Sequence, residues 1–256
     1  MRMPASYALL RSGAVRAAIR TDLIQALAPW LLAARLELPL GTEAIASGRG
    51  PAYRVRVGEG APLVLRICRR GGLAARLLRE TYFGLRPRPF HELALTVEAR
   101  RRGVAAAEVL AARVEGRFAY RGALVTAEVP EATTLLEALR RAADRGARCG
   151  LAAAAGRAVA GLHAAGVFHA DLNLRNLLVH PGPEGVRVAL LDFDRAWLGA
   201  APLRAPARGR NLRRLVRSLA KLDPGGRLAG AEERRAFRAA YTGHDPRLVL
   251  GDACGC

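Results

Sequence analysis

Residues 169–193, HADLNLRNLLVHPGPEGVRVALLDF, constrain the fold more than any other part of this chain. The apolar runs LLV and VRVALLDF flank the turn-forming PGPEG, a pattern that predicts strand, tight turn, strand. Asp171 and Asn176 precede the first strand and Asp192 ends the second, so the hairpin would hold them on its two sides. Two alanine-rich helices are expected just upstream, over Leu135 to Arg145 and Leu151 to Ala165, and two more downstream in NLRRLVRSLAKL and AEERRAFRAAY.

The first half of the chain has a different texture. YRVRV and PLVLRI are separated by Gly58-Glu59-Gly60 and predict a β-hairpin. Residues 73–102 read as mainly helical with a break at Pro87 and Pro89, and a second strand pair is expected over about 107–129. Residues 7–36 carry apolar side chains at helical spacing between Arg11, Arg16, Arg20 and Arg35, which predicts an amphipathic helix interrupted near Pro29. Such a helix could lie on a membrane or pack on the rest of the domain. The expected organisation is a helical N-terminal extension over 1–40, a small-sheet lobe over 41–130, a hinge near 129–134 and a helix-rich lobe over 131–256.

An aspartate followed five residues later by an asparagine, then by strand, turn, strand and Asp-Phe, is the arrangement of protein-kinase-like phosphotransferases. The expected fold is therefore α+β and two-lobed, with a small antiparallel sheet in the N-lobe and a mainly helical C-lobe. Moving a γ-phosphoryl group needs a carboxylate near the accepting hydroxyl, and oxygen ligands for Mg²⁺ beside the nucleotide phosphates. Asp171 is expected to be the base or orienting group, with Asn176 and Asp192 as metal ligands. His169 is expected to brace the loop through hydrogen bonds, and Asn173 either contacts phosphate or makes a local loop hydrogen bond. Upstream, Gly48-Arg49-Gly50 resembles a shortened glycine-rich loop over the phosphates. Lys221 is the only lysine, so the cation of the third strand must be Arg66, which can clamp phosphate bidentately. Glu92 is the expected partner of Arg66, with Glu80 and Glu98 as alternatives.

A net charge of +19 implies an acidic partner: nucleic acid, nucleotide or anionic lipid. Nucleic acid is not expected, because aromatics make up only 5% and the arginines form no basic helix or Gly-Arg repeat. Cys68, Cys149, Cys254 and Cys256 lack zinc spacing and are expected to be free thiols. No membrane-spanning run and no secretory signal are apparent, so the cytoplasm is the expected location.

With these residues placed, the chain resembles the 3-deoxy-D-manno-octulosonic acid (Kdo) kinases, the lipopolysaccharide kinases of Gram-negative bacteria. The resemblance rests on GRG with Tyr53, LVLRICRRGGLAARLLRETYF, FHELAL, GVFHADLNLRNLLV, LLDFDRA and NLRRLVRSLAKL. It implies ATP-dependent phosphorylation of a Kdo hydroxyl on lipid A, with Mg²⁺, at the cytoplasmic face of the inner membrane. It also implies catalytic and metal roles for Asp171, Asn176 and Asp192 and the phosphate-pairing place for Arg66. Arg69, Arg70, Arg76 and Arg79 would suit an acidic glycolipid and an anionic membrane surface. The chain departs from the family in Asn173-Leu174-Arg175 of the loop and in Cys68, where tyrosine is common. Asp194 stands where protein kinases place glycine, and a cap or a pair with Arg195 is expected of it. Two alternatives stay open: another acceptor such as an aminoglycoside or a protein side chain, and a nucleotide-binding pseudokinase without turnover.

Overall fold

In the computed structural model the described residues are 3–45, 51–68, 81–183, 185–245 and 247–248. The chain divides into two compact units, Met1–Val97 with Glu108–Glu128, and Glu98–Ala107 with Val129–Cys256.

The first unit opens with β1 (Tyr7–Ser12) and β2 (Val15–Arg20), an antiparallel hairpin, followed by α1 (Ile24–Leu31). The helix expected over 7–36 is therefore corrected: its first part is a strand hairpin, α-helix is confined to Ile24–Leu31, and Pro29 lies inside α1. The cause is burial on both faces of β2. Ala17 and Ile19 face one apolar cluster and Ala18 the other, which removes the polar-apolar alternation that marks a strand. Next come β3 (Glu43–Ile45), β4 (Ala52–Val55), β5 (Leu63–Ile67), β6 (Tyr82–Phe83), α2 (Arg88–Arg101), β7 (Val109–Gly116) and β8 (Ala119–Ala127). The strands form one antiparallel sheet in the order β1-β2-β7-β8-β5-β4-β3, with β6 also on β8. The N-terminal residues are thus part of this sheet, since β2 pairs β7. Leu27 and Leu31 of α1 cover one face with Ile19, Val55, Leu65 and Val125, while Leu93 of α2 packs on the other with Ala18, Ala112 and Leu124.

The second unit contains β9 (Thr133–Thr134), α3 (Leu135–Arg141), α4 (Arg145–Ala164), β10 (Val167–Phe168), β11 (Leu177–Gly182), β12 (Gly185–Leu190), β13 (Trp197–Leu198), α5 (Ala205–Leu222) and α6 (Ala231–His244). Thr134 and Glu137 form a capping box at the start of α3, and Asp144 caps α4 by accepting from Ala147 N at 2.7 Å. Helices α4 and α6 pack so closely that a Cβ on Gly156 would lie 2.4 Å from the Phe237 carbonyl oxygen, so only glycine fits there. Strand β11 pairs β12 over Leu177–Gly182 and also pairs β9. Residues 98–107 belong here because Leu190 N donates to Ala105 O at 2.8 Å and Ala107 N to Leu190 O at 3.1 Å. The core is built from Leu135, Leu139, Val159, Leu162, Leu172, Leu177, Leu190 and Phe193.

Candidate active site

The loop between β10 and β11 carries His169, Asp171, Asn173 and Asn176. His169 is fully buried, with its ring edge-on to Phe193 at 5.1 Å. Its Nε2–H donates to the Leu191 carbonyl at 2.8 Å, and its Nδ1 accepts from Asp171 N at 3.2 Å. Both contacts suit one neutral tautomer, and burial holds the ring below its ordinary pKa. The histidine expected to brace the loop therefore has the contacts of a brace.

A second layer holds the brace. Asn211 of α5 is fully buried; its Nδ2 donates to His169 O at 2.7 Å and its Oδ1 accepts from His169 N at 3.1 Å. The same Oδ1 lies 3.2 Å from His163 Nε2, and His163 Nδ1 lies 2.7 Å from the Tyr241 hydroxyl. Since Asn211 Oδ1 can only accept, His163 carries its proton on Nε2 and Tyr241 donates to Nδ1. Burial pushes the His163 pKa down to about 4. The result is a neutral network from α6 through α4 and α5 to the loop, with every buried side-chain polar atom among the described residues satisfied.

Asn173 folds the loop onto itself. Its Nδ2 donates to Asp171 O at 2.9 Å, and its Oδ1 accepts from Arg175 N at 2.9 Å and Asn176 N at 3.2 Å. Of the two roles expected for Asn173, these contacts are the local one. Asn176 Nδ2 donates to Asp171 O at 2.8 Å and to Asp171 Oδ2 at 3.3 Å. That orientation leaves the Asn176 carbonyl oxygen, and not its amide nitrogen, as the group that could meet a hard cation. Leu191 N donates to Asn176 O at 2.9 Å, which ties the start of β11 to the end of β12 and brings Asp192 to that end of the hairpin. Asp192 has φ 64°, a left-handed backbone uncommon for a residue with a side chain. Among the described residues no three His, Cys, Asp or Glu side chains cluster to hold a metal. An asparagine and an aspartate alone suit Mg²⁺, which keeps most of its six positions for phosphate and water.

The carboxylate of Asp171 has a partner that the sequence reading missed. Arg214 of α5 donates to Asp171 Oδ1 through Nε at 3.1 Å and also through Nη2, while Asn176 contacts the other oxygen. The Asp171 side chain is 14% exposed. Nothing local marks Arg214, which lies 43 residues from Asp171 among many arginines.

In the first unit, Arg66 of β5 and Glu92 of α2 form an ion pair, with the Glu92 side chain only 4% exposed. The structure thus joins the two residues expected to pair. Glu98 is engaged instead with Arg101 at 2.7 Å and Arg102 at 2.8 Å, which holds its carboxyl down at about 2. Gly48, Gly50, Arg69, Arg70, Arg76, Arg79, Glu80, Cys254 and Cys256 lie outside the described residues. Cys149 is a free thiol, and Cys68 is buried outside any disulfide.

Comparison with known proteins gives these geometries a setting. The family model of the lipopolysaccharide kinase (Kdo/WaaP) family matches residues 46–241. The 3-deoxy-D-manno-octulosonic acid kinase of Xanthomonas campestris pv. campestris (strain B100) is 40% identical over 185 residues, covering 68% of each chain. That of Stenotrophomonas maltophilia (strain R551-3) is 37% identical over 185 residues, again 68% of each. Among solved structures, WaaP in complex with acyl carrier protein superposes with a TM-score of 0.60 at 18% identity, covering 97% of this chain and 94% of that one. A glucosamine kinase in complex with glucosamine, ADP and inorganic phosphate gives a TM-score of 0.51 at 19% identity, over 97% of this chain and 82% of that one. The fold is accordingly protein-kinase-like and α+β. The chain belongs to the lipopolysaccharide kinase (Kdo/WaaP) family and is a phosphotransferase with a hydroxyl acceptor.

Proposed function

We propose that this kinase moves the γ-phosphoryl group of ATP to a hydroxyl of a Kdo residue on lipid A. The observation that carries the reading is the Asp171–Asn176 contact at the start of β11, with Asp192 at the adjoining end of β12. Asp171 would accept the proton of the attacking hydroxyl while the Arg214 and Asn176 contacts hold its two oxygens in place. Asn176 and Asp192 would hold Mg²⁺, which neutralises charge on the phosphates when bound. Arg66, aligned by Glu92, would take the phosphate-pairing place, and Gly48 and Gly50 would cover the phosphates. His169 acts through the loop it braces. The relatives named Kdo kinases support the acceptor, and the chain's net charge of +19 suits an acidic glycolipid.

No helix among the described residues is long and apolar enough to cross a membrane. The net charge of +19 suits an anionic lipid surface, and on that ground we place the enzyme at the cytoplasmic membrane face. Vesicle binding should then weaken as salt rises. The acceptor is tested by incubating the purified protein with ATP, Mg²⁺ and Kdo-lipid A and following phosphate by mass spectrometry. One added phosphate on the Kdo sugar is expected. Transfer to an aminoglycoside or a protein, with none to Kdo-lipid A, would overturn the acceptor, and ATP binding with no transfer to any acceptor would leave a pseudokinase.

A further inference from the structure

Helix α5 has two chemically different sides. Asn211, Leu212 and Leu215 face inward and are buried. Arg210, Arg213, Arg214, Arg217 and Lys221 are exposed and recur at three- and four-residue spacing, which puts them on one stripe. The helix sequence APARGRNLRRLVRSLAKL contains no acidic residue. Among the described residues, Arg214 is the member of this stripe with a carboxylate partner, and that partner is Asp171.

At the N-terminal end of the stripe lies a cleft of about 350 Å³ lined by Trp197, Gly199, Leu203, Arg204, Pro206 and Arg210, among others. Its aromatic wall is Trp197, 41% exposed and stacked on Phe168 with ring centres 5.1 Å apart. The Arg210 guanidinium lies 5.7 Å from the Phe168 ring centre, and Phe168 directly precedes His169. A Cβ on Gly199 would sit 2.9 Å from Cζ3 of Trp197, so the glycine leaves room for the indole. The backbone around the cleft is tied down, with Gly199 N donating to Gly166 O at 2.8 Å and Leu203 N to His163 O at 2.7 Å. Arg204 and Arg210 are exposed, and among the described residues neither has a carboxylate partner.

We propose that this cleft is the acceptor subsite for an acidic sugar, with Trp197 stacking on the ring and Arg204 and Arg210 gripping its carboxylate. The inference rests on the proposed glycolipid acceptor and adds the residues that recognise it. A planar guanidinium matches a carboxylate through two parallel hydrogen bonds, and two of them beside an aromatic face select an anion on a ring over a neutral sugar. The placement suits the reaction, because Arg210 is one helical turn, about 6 Å along the axis, from the Arg214 that contacts Asp171. Cleft and carboxylate are thus linked through neighbouring turns of α5.

The chain has only two tryptophans, Trp30 and Trp197, so a Trp30→Phe protein reports on the cleft alone. Its fluorescence is titrated with free Kdo, with the Kdo methyl ester and with a hexuronic acid. A saturable change with an acid sugar is expected, with binding at least tenfold weaker for the ester and at least tenfold weaker in Arg204→Ala/Arg210→Ala. The Lys double variant should recover part of the loss. In turnover, the Ala double variant should raise the KM for the acceptor about tenfold and leave the KM for ATP within twofold. A response to the hexuronic acid and not to Kdo would retain the subsite and reject the Kdo acceptor. Equal binding of acid and ester, or no response to any sugar, would overturn the subsite even if the enzyme phosphorylates Kdo-lipid A. The ester comparison needs no arginine variant, so it decides the matter even if the double variant fails to fold.

Discussion

The catalytic loop of the second unit and the Arg66–Glu92 pair of the first hold their functional groups by opposite means. The loop hangs on neutral hydrogen bonds: His169 to Leu191, part-buried, and then His169 to Asn211, Asn211 to His163 and His163 to Tyr241, all buried. The sheet unit aligns Arg66 with a charged side chain, Glu92, at the edge of solvent on the arginine side. The difference follows from what each group must do. A brace that never changes charge can be buried without a counter-ion, whereas a cation that must meet phosphate needs water access and a partner of opposite sign. At the reacting group the loop uses charge instead, where Arg214 and Asp171 meet.

The contrast can be broken most severely on the charged side. Arg66→Ala should lower kcat/KM for ATP by about 10²-fold, as loss of one positioned phosphate donor does, while Arg66→Lys retains most of it. Equal loss in both would show that the Glu92 pair needs the guanidinium shape and not only its charge. On the neutral side, Asn211→Leu should cost roughly 2–4 kcal/mol of stability, because it strands the His169 backbone groups and the His163 ring in the interior. Chemical denaturation measures it; an unchanged midpoint would mean that the network is not holding the loop.

Acid offers a third way in. Burial depresses the His163 pKa to about 4 from an ordinary 6.5, so an unfolded chain takes up this proton first as pH falls. The stability held above pH 6.5 should therefore be lost progressively between pH 6.5 and 4, by roughly 3 kcal/mol, and level off below. His163→Gln should flatten that slope. The smallest effect is expected away from both centres. Arg148→Met removes a half-buried partner of Glu233 between α4 and α6, and should cost about 1 kcal/mol with kcat and KM within twofold.

What could be read from the sequence divides along similar lines. Asp171, Asn176 and Asp192 were legible because the hairpin that joins them is local, with all its signals inside 25 residues. Arg66 was legible by elimination, the chain having one lysine at 221, and Glu92 from its place on the next helix. Asn211, His163 and Tyr241 were not, because Asn211 meets His169 across 42 residues and His163 across 48, and Tyr241 meets His163 across 78, and a buried neutral side chain has no sequence signature of its own. Arg214 was hidden by abundance among 41 basic residues. The N-terminal hairpin was misread for a different reason: strand β2 is buried on both faces, so Val15-Arg16-Ala17-Ala18-Ile19 shows no alternation and imitates a helix. Pattern reading works where solvent touches one side of an element and fails where it touches neither.

Phosphate transfer by this enzyme depends on the Asp171 carboxylate standing where an acceptor hydroxyl gives up its proton. The most direct measurement is the single-turnover rate of phosphate transfer to Kdo-lipid A by Asp171→Asn, with the affinity for Mg·ATP measured on the same preparation. A rate lower by about 10³-fold, with nucleotide affinity within threefold, is the expected result. A variant that transfers phosphate as fast as the parent protein would contradict it.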